Sequence, residues 1–333
     1  LTTGLAAVPL VQAWQVAREA RVTLSPFRTL VGSSDPFQGQ VQTVTYSSAD
    51  GKELLMDVYF PDNTPVAAGA GAGVASDPAP SAQLRPAVIV VHGGSWNGSY
   101  RSESPRWSRW LAARGYVVFD IDYRLAPQPN WQTATGDVKC AIGTIERQAA
   151  RWQIDLNRVA LLGRSAGAHL SLLAGYSTGD PVLRPSCDVV DTSAQAVVAL
   201  YGPTDLLWGY DHPGNSRVID GRETLRRFLG GTPQTVGENY FRASPVTHVG
   251  RNTPPTLLIH GGRDQYVRVQ HTMRLAERLQ EAGVPHKAII LPYAQHGFDY
   301  VFDGWGGQIA QVTIADFLAE YLGTFLARRA GVR

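Results

Sequence analysis

Three side chains far apart in the chain have types that work together only if a fold gathers them. Ser165 lies in GRSAG (163–167), Asp264 in LLIHGGRDQYV and His296 in IILPYAQHGF. A serine hydroxyl is scarcely nucleophilic at neutral pH; it needs a base to take its proton and an acid to hold that base in one tautomer. His296 and Asp264 each follow an apolar, strand-like run, which gives each a role: Ser165 attacks, His296 carries the proton, and Asp264 orients the imidazole and stabilises its charged form. Glycines two residues to either side of Ser165 permit a tight, strained turn between RVALLG, a strand pattern, and AHLSLLAGY, a helix pattern, lifting the hydroxyl above a sheet. Acyl transfer would also need donors for a developing oxyanion. VVHGGSW offers the backbone N–H groups of Gly93 or Gly94, to converge with that of Ala166.

Other residues have two readings. Asp205 in YGPTDL also follows a strand and rivals Asp264 as the acid; its alternative role is to organise its own loop through side-chain-to-backbone bonds. His92 and His260 read as supports for the loops after their strands. Asp122 and Arg124 read as one polar network under the loop at Gly93. Ser95, Trp96, Tyr100 and Trp208 are candidate pocket residues. Arg164 is the odd member of its motif. A permanent cation cannot be a base, so it either braces the turn or lines the pocket and favours anionic substrates.

The elements that must position these groups follow from the apolar pattern. VQTVTYS (41–47) and ELLMDVYF (53–60), separated by Ala-Asp-Gly, predict an antiparallel hairpin. Residues 62–86 are rich in Pro, Ala, Gly and Ser and predict a flexible loop. From residue 87 the chain alternates continuous apolar runs (AVIVVHGG, YVVFDIDY, RVALLG, AQAVVALYG, PTLLIHGG, KAIILP) with helical stretches near 103–114, 132–150, after Ser165, 269–282 and 307–328. That alternation predicts an α/β fold with a mostly parallel sheet and helices on both faces. It is broken once, at 207–252, a lid-like insertion with helical propensity only around RETLRRFL. The expected organisation is an N-terminal helical segment (1–35) and one catalytic domain (36–333). The first helix is expected to start near Pro9 and to dock through Leu10, Val11, Trp14 and Ala17.

Composition narrows the function classes. With 333 residues, 30 Lys and Arg against 28 Asp and Glu, and a net charge of +2, the chain has the size for a large core and no dense basic face for nucleic acid. Its two cysteines, Cys140 and Cys187, form no CxxC motif and no Cys/His cluster, so no familiar zinc site is present in the sequence. One disulfide stays open as the alternative, but Cys140, in an apolar helical pattern, is expected as a buried free thiol. The chain opens Leu1-Thr2-Thr3 without an initiator Met, so a preceding segment is expected to have been removed. LAAVPLVQAW is too short for a membrane span and lacks a basic start. The location is left open: a missing N-terminal segment would permit secretion or membrane anchoring around a soluble catalytic domain, and a cytoplasmic location and the oligomeric state stay open as well.

HGGSW, DYRLAP (122–127), GRSAG, YGPTDL (201–206), HGGRDQYV and QHGF, in this order, resemble the α/β-hydrolase superfamily in its esterase/lipase branch. More narrowly, residues 40–328 are similar to hormone-sensitive-lipase-like and feruloyl-esterase-like bacterial carboxylesterases. The resemblance implies the α/β-hydrolase fold and cleavage of small-molecule carboxylic esters, with short to medium acyl or aryl groups, through an acyl-enzyme and without metal or cofactor. HGGS replaces the fuller HGGG, and Arg164 stands where Asp, Glu, Gly or His often precedes the serine. An amidase, formamidase or peptidase-like hydrolase on the same fold is the alternative, since HGGSW also resembles the loop of N-formyl-aryl-amine hydrolases and the C-terminal half is similar to prolyl-oligopeptidase-type catalytic domains. A catalytically dead binding module on this fold would be expected to have a broken triad.

Overall fold

A computed structural model describes residues 2–49, 51–61 and 84–323. The hairpin is β1 (Gln40–Ala49) and β2 (Lys52–Phe60), antiparallel with Ala49 opposite Lys52. The apolar runs follow as β3 (Arg85–Val91), β4 (Val117–Ile121), β5 (Ile154–Arg164), β6 (Ala196–Leu200), β7 (Thr256–Gly261) and β8 (His286–Leu291). They join the hairpin in one eight-stranded sheet of order β1-β2-β4-β3-β5-β6-β7-β8, parallel from β4 to β8. The flexible loop expected over 62–86 lies outside the described residues except at its end, where β3 already begins at Arg85.

The helices are α1 (Thr2–Glu19), α2 (Pro26–Val31), α3 (Pro105–Ala112), α4 (Trp131–Arg147), α5 (Ala149–Trp152), α6 (Ala166–Tyr176), α7 (Leu206–Asp211), α8 (Gly221–Leu229), α9 (Pro233–Arg242), α10 (Gln270–Glu281) and α11 (Trp305–Leu322). Strand residues alternate between two covers, which is why the runs are apolar throughout. Ile89, Phe119, Leu161 and Val197 belong to one buried cluster with side chains of α4, α6 and α10. Val88, Val118, Leu162 and Val198 belong to a second buried cluster with side chains of α1, α3 and α11. Truncating one such side chain, Leu161→Ala for example, would cost about 2–5 kcal/mol.

Three expectations are corrected. First, α1 begins at Thr2 rather than near Pro9 and docks through Ala13, Val16 and Ala17, whereas Leu10, Val11 and Trp14 remain 47%, 52% and 65% exposed. Two alanines one turn apart let the helix backbone approach the domain, a geometry that larger residues would prevent. Second, Cys140 is bonded to Cys187, with Cα atoms 5.5 Å apart. On the same face of α4, a Cβ at Gly136 would come within 2.7 Å of Arg184 O and one at Gly143 within 2.3 Å of Val189 Cβ. Small residues at 136, 140 and 143 therefore let the 184–189 segment lie against the helix and bring Cys187 onto Cys140. Third, the 207–252 insertion contains α7 and α9 as well as α8. Asp205 starts α7 by accepting the Trp208 N–H at 3.0 Å, and Thr232 with Thr235 forms a capping box at α9. These local start signals outweigh the weak apolar period. Among the described residues, no helix is long and apolar enough to cross a membrane.

Candidate active site

Ser165 is the single residue between β5 and α6, and its backbone is held at φ 52°, ψ −118°. A side chain at positive φ is strained and persists only where the surroundings impose it. The glycines show how they do so. A Cβ at Gly163 would sit 2.2 Å from Gly167 O, and one at Gly167 would sit 2.2 Å from the carbonyl oxygens of both Val91 and His92. The turn is pinned by Ser165 N–H donating to Leu200 O at 2.9 Å and by His169 N–H donating to Ser165 O at 3.1 Å.

His296 and Asp264 meet this turn from the loops after β8 and β7. Ser165 Oγ lies 3.0 Å from His296 Nε2, and His296 Nδ1 lies 2.6 Å from Asp264 Oδ2. A carboxylate accepts only, so Nδ1 carries the proton and the Nε2 lone pair faces the serine hydroxyl. Asp264 Oδ1 accepts the N–H groups of Tyr266 and Val267 at 2.8 and 3.0 Å. Burial pushes the Asp264 carboxyl up, but hydrogen bonds from His260 and His296 outweigh it, and the group is held well below the usual carboxylate range. The rings of Tyr201 (edge-on, 4.5 Å) and Tyr266 (stacked, 4.9 Å) flank the imidazole.

His260 does hold its loop, donating from Nε2 to Val267 O at 2.9 Å and accepting the Thr272 hydroxyl on Nδ1 at 2.8 Å. It also touches the acid, with Nε2 3.2 Å from Asp264 Oδ2. Sequence reasoning missed that contact, although the HGGRD spacing carries the signal. Asp205, the rival acid, instead caps α7 and pairs with Arg274 at 2.8 Å.

After β3, Gly93 and Gly94 pass directly over the turn. A Cβ at Gly93 would come within 3.2 Å of Arg164 O, and Gly94 has φ +100°. Several donors hold this loop. His92 Nδ1 and the Tyr123 hydroxyl both donate to Gly93 O, at 2.8 and 3.1 Å, and Asn130 Nδ2 donates to Trp96 O at 3.0 Å. Burial lowers the His92 pKa, favouring the neutral ring that makes this single donation. Trp96 Nε1 donates to His169 Nδ1 at 3.2 Å, and its ring stacks on Phe228 of α8 at 4.1 Å. Asp122 and Arg124 do not share the expected network. Asp122 holds Arg101 at 2.8 Å, while the fully buried Asp137 of α4 captures Arg124 at 2.7 Å. Tyr123, between the two charges, reaches the loop through its hydroxyl.

A cavity of 350 Å³ opens over Ser165 and His296. Gly93, Gly94, Ser95, Trp96 and Ala166 line one side, and Leu206, Gly209, Ile219 and Leu225 bring the inserted helices over the other. Tyr100 and Trp208 do not line it, contrary to expectation, and Arg164 does not either, which leaves the bracing alternative of its two readings. Tyr100 is 63% exposed, and Trp208 stacks on His212 at 4.6 Å. Arg164 is buried behind the site, where Nε donates to Asp299 Oδ2 at 2.5 Å. Burial first, and then the Asp299 charge, push the Tyr201 pKa well above its usual value, so its hydroxyl stays protonated and donates to Asp299 Oδ1.

A mostly parallel eight-stranded sheet covered on both faces, with a serine on a strained strand-to-helix turn and a histidine and an aspartate from later strand ends, defines the α/β-hydrolase fold. The chain belongs to the BD-FAE family, whose sequence profile matches residues 76–279. It is 37% identical over 241 residues to the esterase LipC of Mycobacterium tuberculosis, covering 71% of this chain and 58% of LipC. It is 31% identical over 244 residues to the probable carboxylic ester hydrolase LipM of the same organism, covering 72% of this chain and 55% of LipM. The chain thus spans little more than half the length of these curated relatives. Among solved structures it is similar to Thermogutta terrifontis esterase 2 phosphonylated by sarin, with TM-score 0.69 and 22% identity, covering 89% of this chain and 99% of that one.

Proposed function

We propose that this chain is a serine hydrolase that cleaves carboxylic esters through an acyl-enzyme on Ser165. The observation that carries the reading is the continuous relay from Ser165 Oγ through His296 to Asp264, at 3.0 and 2.6 Å. Similarity to proteins named as esterases supports the same class.

As Ser165 Oγ attacks the ester carbonyl carbon, its proton passes to His296 Nε2, and Asp264 stabilises the imidazolium. The carbonyl oxygen, now negative, is received by backbone N–H groups of Gly93 or Gly94 and Ala166, at the positive end of α6. His296 returns the proton to the departing alkoxide, leaving the acyl group on Ser165. Water then adds with His296 as base, the serine regains its proton, and a carboxylic acid is released. A 350 Å³ cavity is at the small end of ligand sites and favours short to medium acyl or aryl esters. The Cys140–Cys187 bond supports a location outside a reducing cytosol.

The test is a panel of p-nitrophenyl esters from acetate to palmitate alongside N-formyl and aminoacyl anilides. Expected are turnover highest on the shorter esters and at least about a 10³-fold loss in Ser165→Ala. Anilides turned over better than esters, or a Ser165→Ala variant as active as the parent, would overturn the reading.

A further inference from the structure

The hydrolase reading uses Ser165, His296 and Asp264 and leaves a buried polar cluster behind them without a role. Arg164 precedes the serine, and Asp299 follows the histidine by three residues. Their side chains are 2% and 0% exposed, and Nε meets Oδ2 at 2.5 Å. Among the described residues Arg164 Nη2 has no hydrogen-bond partner, and Asp299 is the carboxylate that pairs with this cation. The other Asp299 oxygen accepts the hydroxyl of Tyr201. Tyr201 itself has φ 45°, and its ring meets the His296 ring edge-on at 4.5 Å. The Trp107 indole N–H fixes Asp299 from a third direction, donating to its backbone oxygen at 3.0 Å.

From this we infer that Asp299 is a positioning residue for catalysis: through Arg164 it ties down the turn that carries Ser165, and through Tyr201 it sets the ring of His296. Neither Arg164 nor Asp299 touches the cavity. The geometry explains why a cation stands beside the nucleophile without lining the pocket. The turn is strained and the histidine sits on a loop, so each needs a fixed reference. One carboxylate, with both oxygens committed, gives them the same one. The fit needs a planar donor on one side and a hydroxyl on the other, which Arg164 and Tyr201 supply.

The inference rests on the esterase reading, and its test separates the two. Active serines in wild type, Asp299→Asn and Tyr201→Phe are titrated with a p-nitrophenyl phosphonate, and kcat and KM for p-nitrophenyl butyrate are expressed per labelled serine. Expected is a per-serine kcat lower by about tenfold or more in Asp299→Asn and about threefold in Tyr201→Phe, with KM within about twofold of the parent in both, because misalignment of reacting groups slows chemistry rather than binding. A purely structural role would reduce the number of labelled serines and the Tm but leave per-serine turnover unchanged in both variants; that result overturns the positioning role. Should Asp299→Asn fail to fold, Tyr201→Phe, which keeps the ring and loses only its hydroxyl, decides alone. A wild type that neither hydrolyses the ester nor is labelled overturns the esterase reading and this inference with it.

Discussion

Arg164 and Asp299 form a buried ion pair at 2.5 Å although one ends a central strand and the other lies in the loop after the edge strand. A buried pair of this kind is weak evidence for net stability, because both charges had to leave water, but breaking it strands the survivor. Arg164→Met is therefore expected to lose about 3–5 kcal/mol, and Arg164→Met with Asp299→Leu together to recover much of that loss. Urea midpoints of the two variants against the parent measure the difference. Equal losses in both would mean that the surrounding packing, not the stranded charge, sets the cost.

Asp264 receives two imidazoles and two backbone N–H groups, and these partners differ in importance. Asp264→Asn would present an amide donor to His296 Nδ1, invert the ring's tautomer and turn a proton toward Ser165. A kcat loss on the order of 10⁴-fold is expected, the scale of that substitution in serine-protease triads. His260→Asn removes the longest contact to Asp264, along with the ring's bonds to Val267 and Thr272, and leaves the other three partners of Asp264, so a loss of about three- to tenfold is expected. Steady-state kinetics on one short ester rank the pair; a His260 effect as large as the Asp264 effect would make His260 part of the relay itself.

Two buried histidines predict a pH dependence of stability that the relay does not. Burial lowers His169 to about 4 and His271 to about 3, the latter helped by His260 and Arg274. Both are depressed from an unfolded value near 6.5, so below that pH the unfolded chain binds protons that the folded chain refuses. Their contribution is present above about pH 6.5 and is lost as pH falls toward 4 and then 3, at up to about 1.4 kcal/mol per pH unit for each ring. Asp264 adds to this from about pH 5 downward, as its unfolded carboxyl takes up a proton that the folded one refuses. Urea titrations at pH 7.5, 6 and 4.5 are expected to show falling midpoints, with a shallower fall in His271→Asn. A flat profile would remove both histidines from the explanation.

What the sequence revealed depended on how local its signal was. Strands and most helices were legible because burial on both faces writes continuous apolar runs. The convergence of Ser165, Asp264 and His296 was legible because each sits at a strand end and a parallel sheet places those ends together. The partner of Arg164 was not, because a carboxylate in PYAQHGFDY shows nothing of which way its loop folds back. Of the docking face of α1 only Ala17 was legible, because size rather than hydrophobicity chose Ala13 over Leu10 and Trp14. Cys140 shows the same limit, since burial in an apolar pattern suits a thiol and a disulfide equally.

That disulfide gives the last prediction. Cys140 and Cys187 are 47 positions apart, and closing a loop of that length removes chain entropy worth about 4 kcal/mol from the unfolded state. Neither cysteine lines the cavity, and the bond ties α4 to a segment away from the relay. Cys140→Ser with Cys187→Ser is therefore expected to lower the Tm by several degrees while leaving kcat and KM for a short ester near those of the parent. The packing at Gly136 and Gly143 keeps the 184–189 segment in contact with α4 without the bond, so the loss should appear in stability and not in the shape of the site. Dithiothreitol treatment of the parent should reproduce the variant's Tm, and a parallel fall in kcat would show that the segment's position reaches the catalytic residues after all.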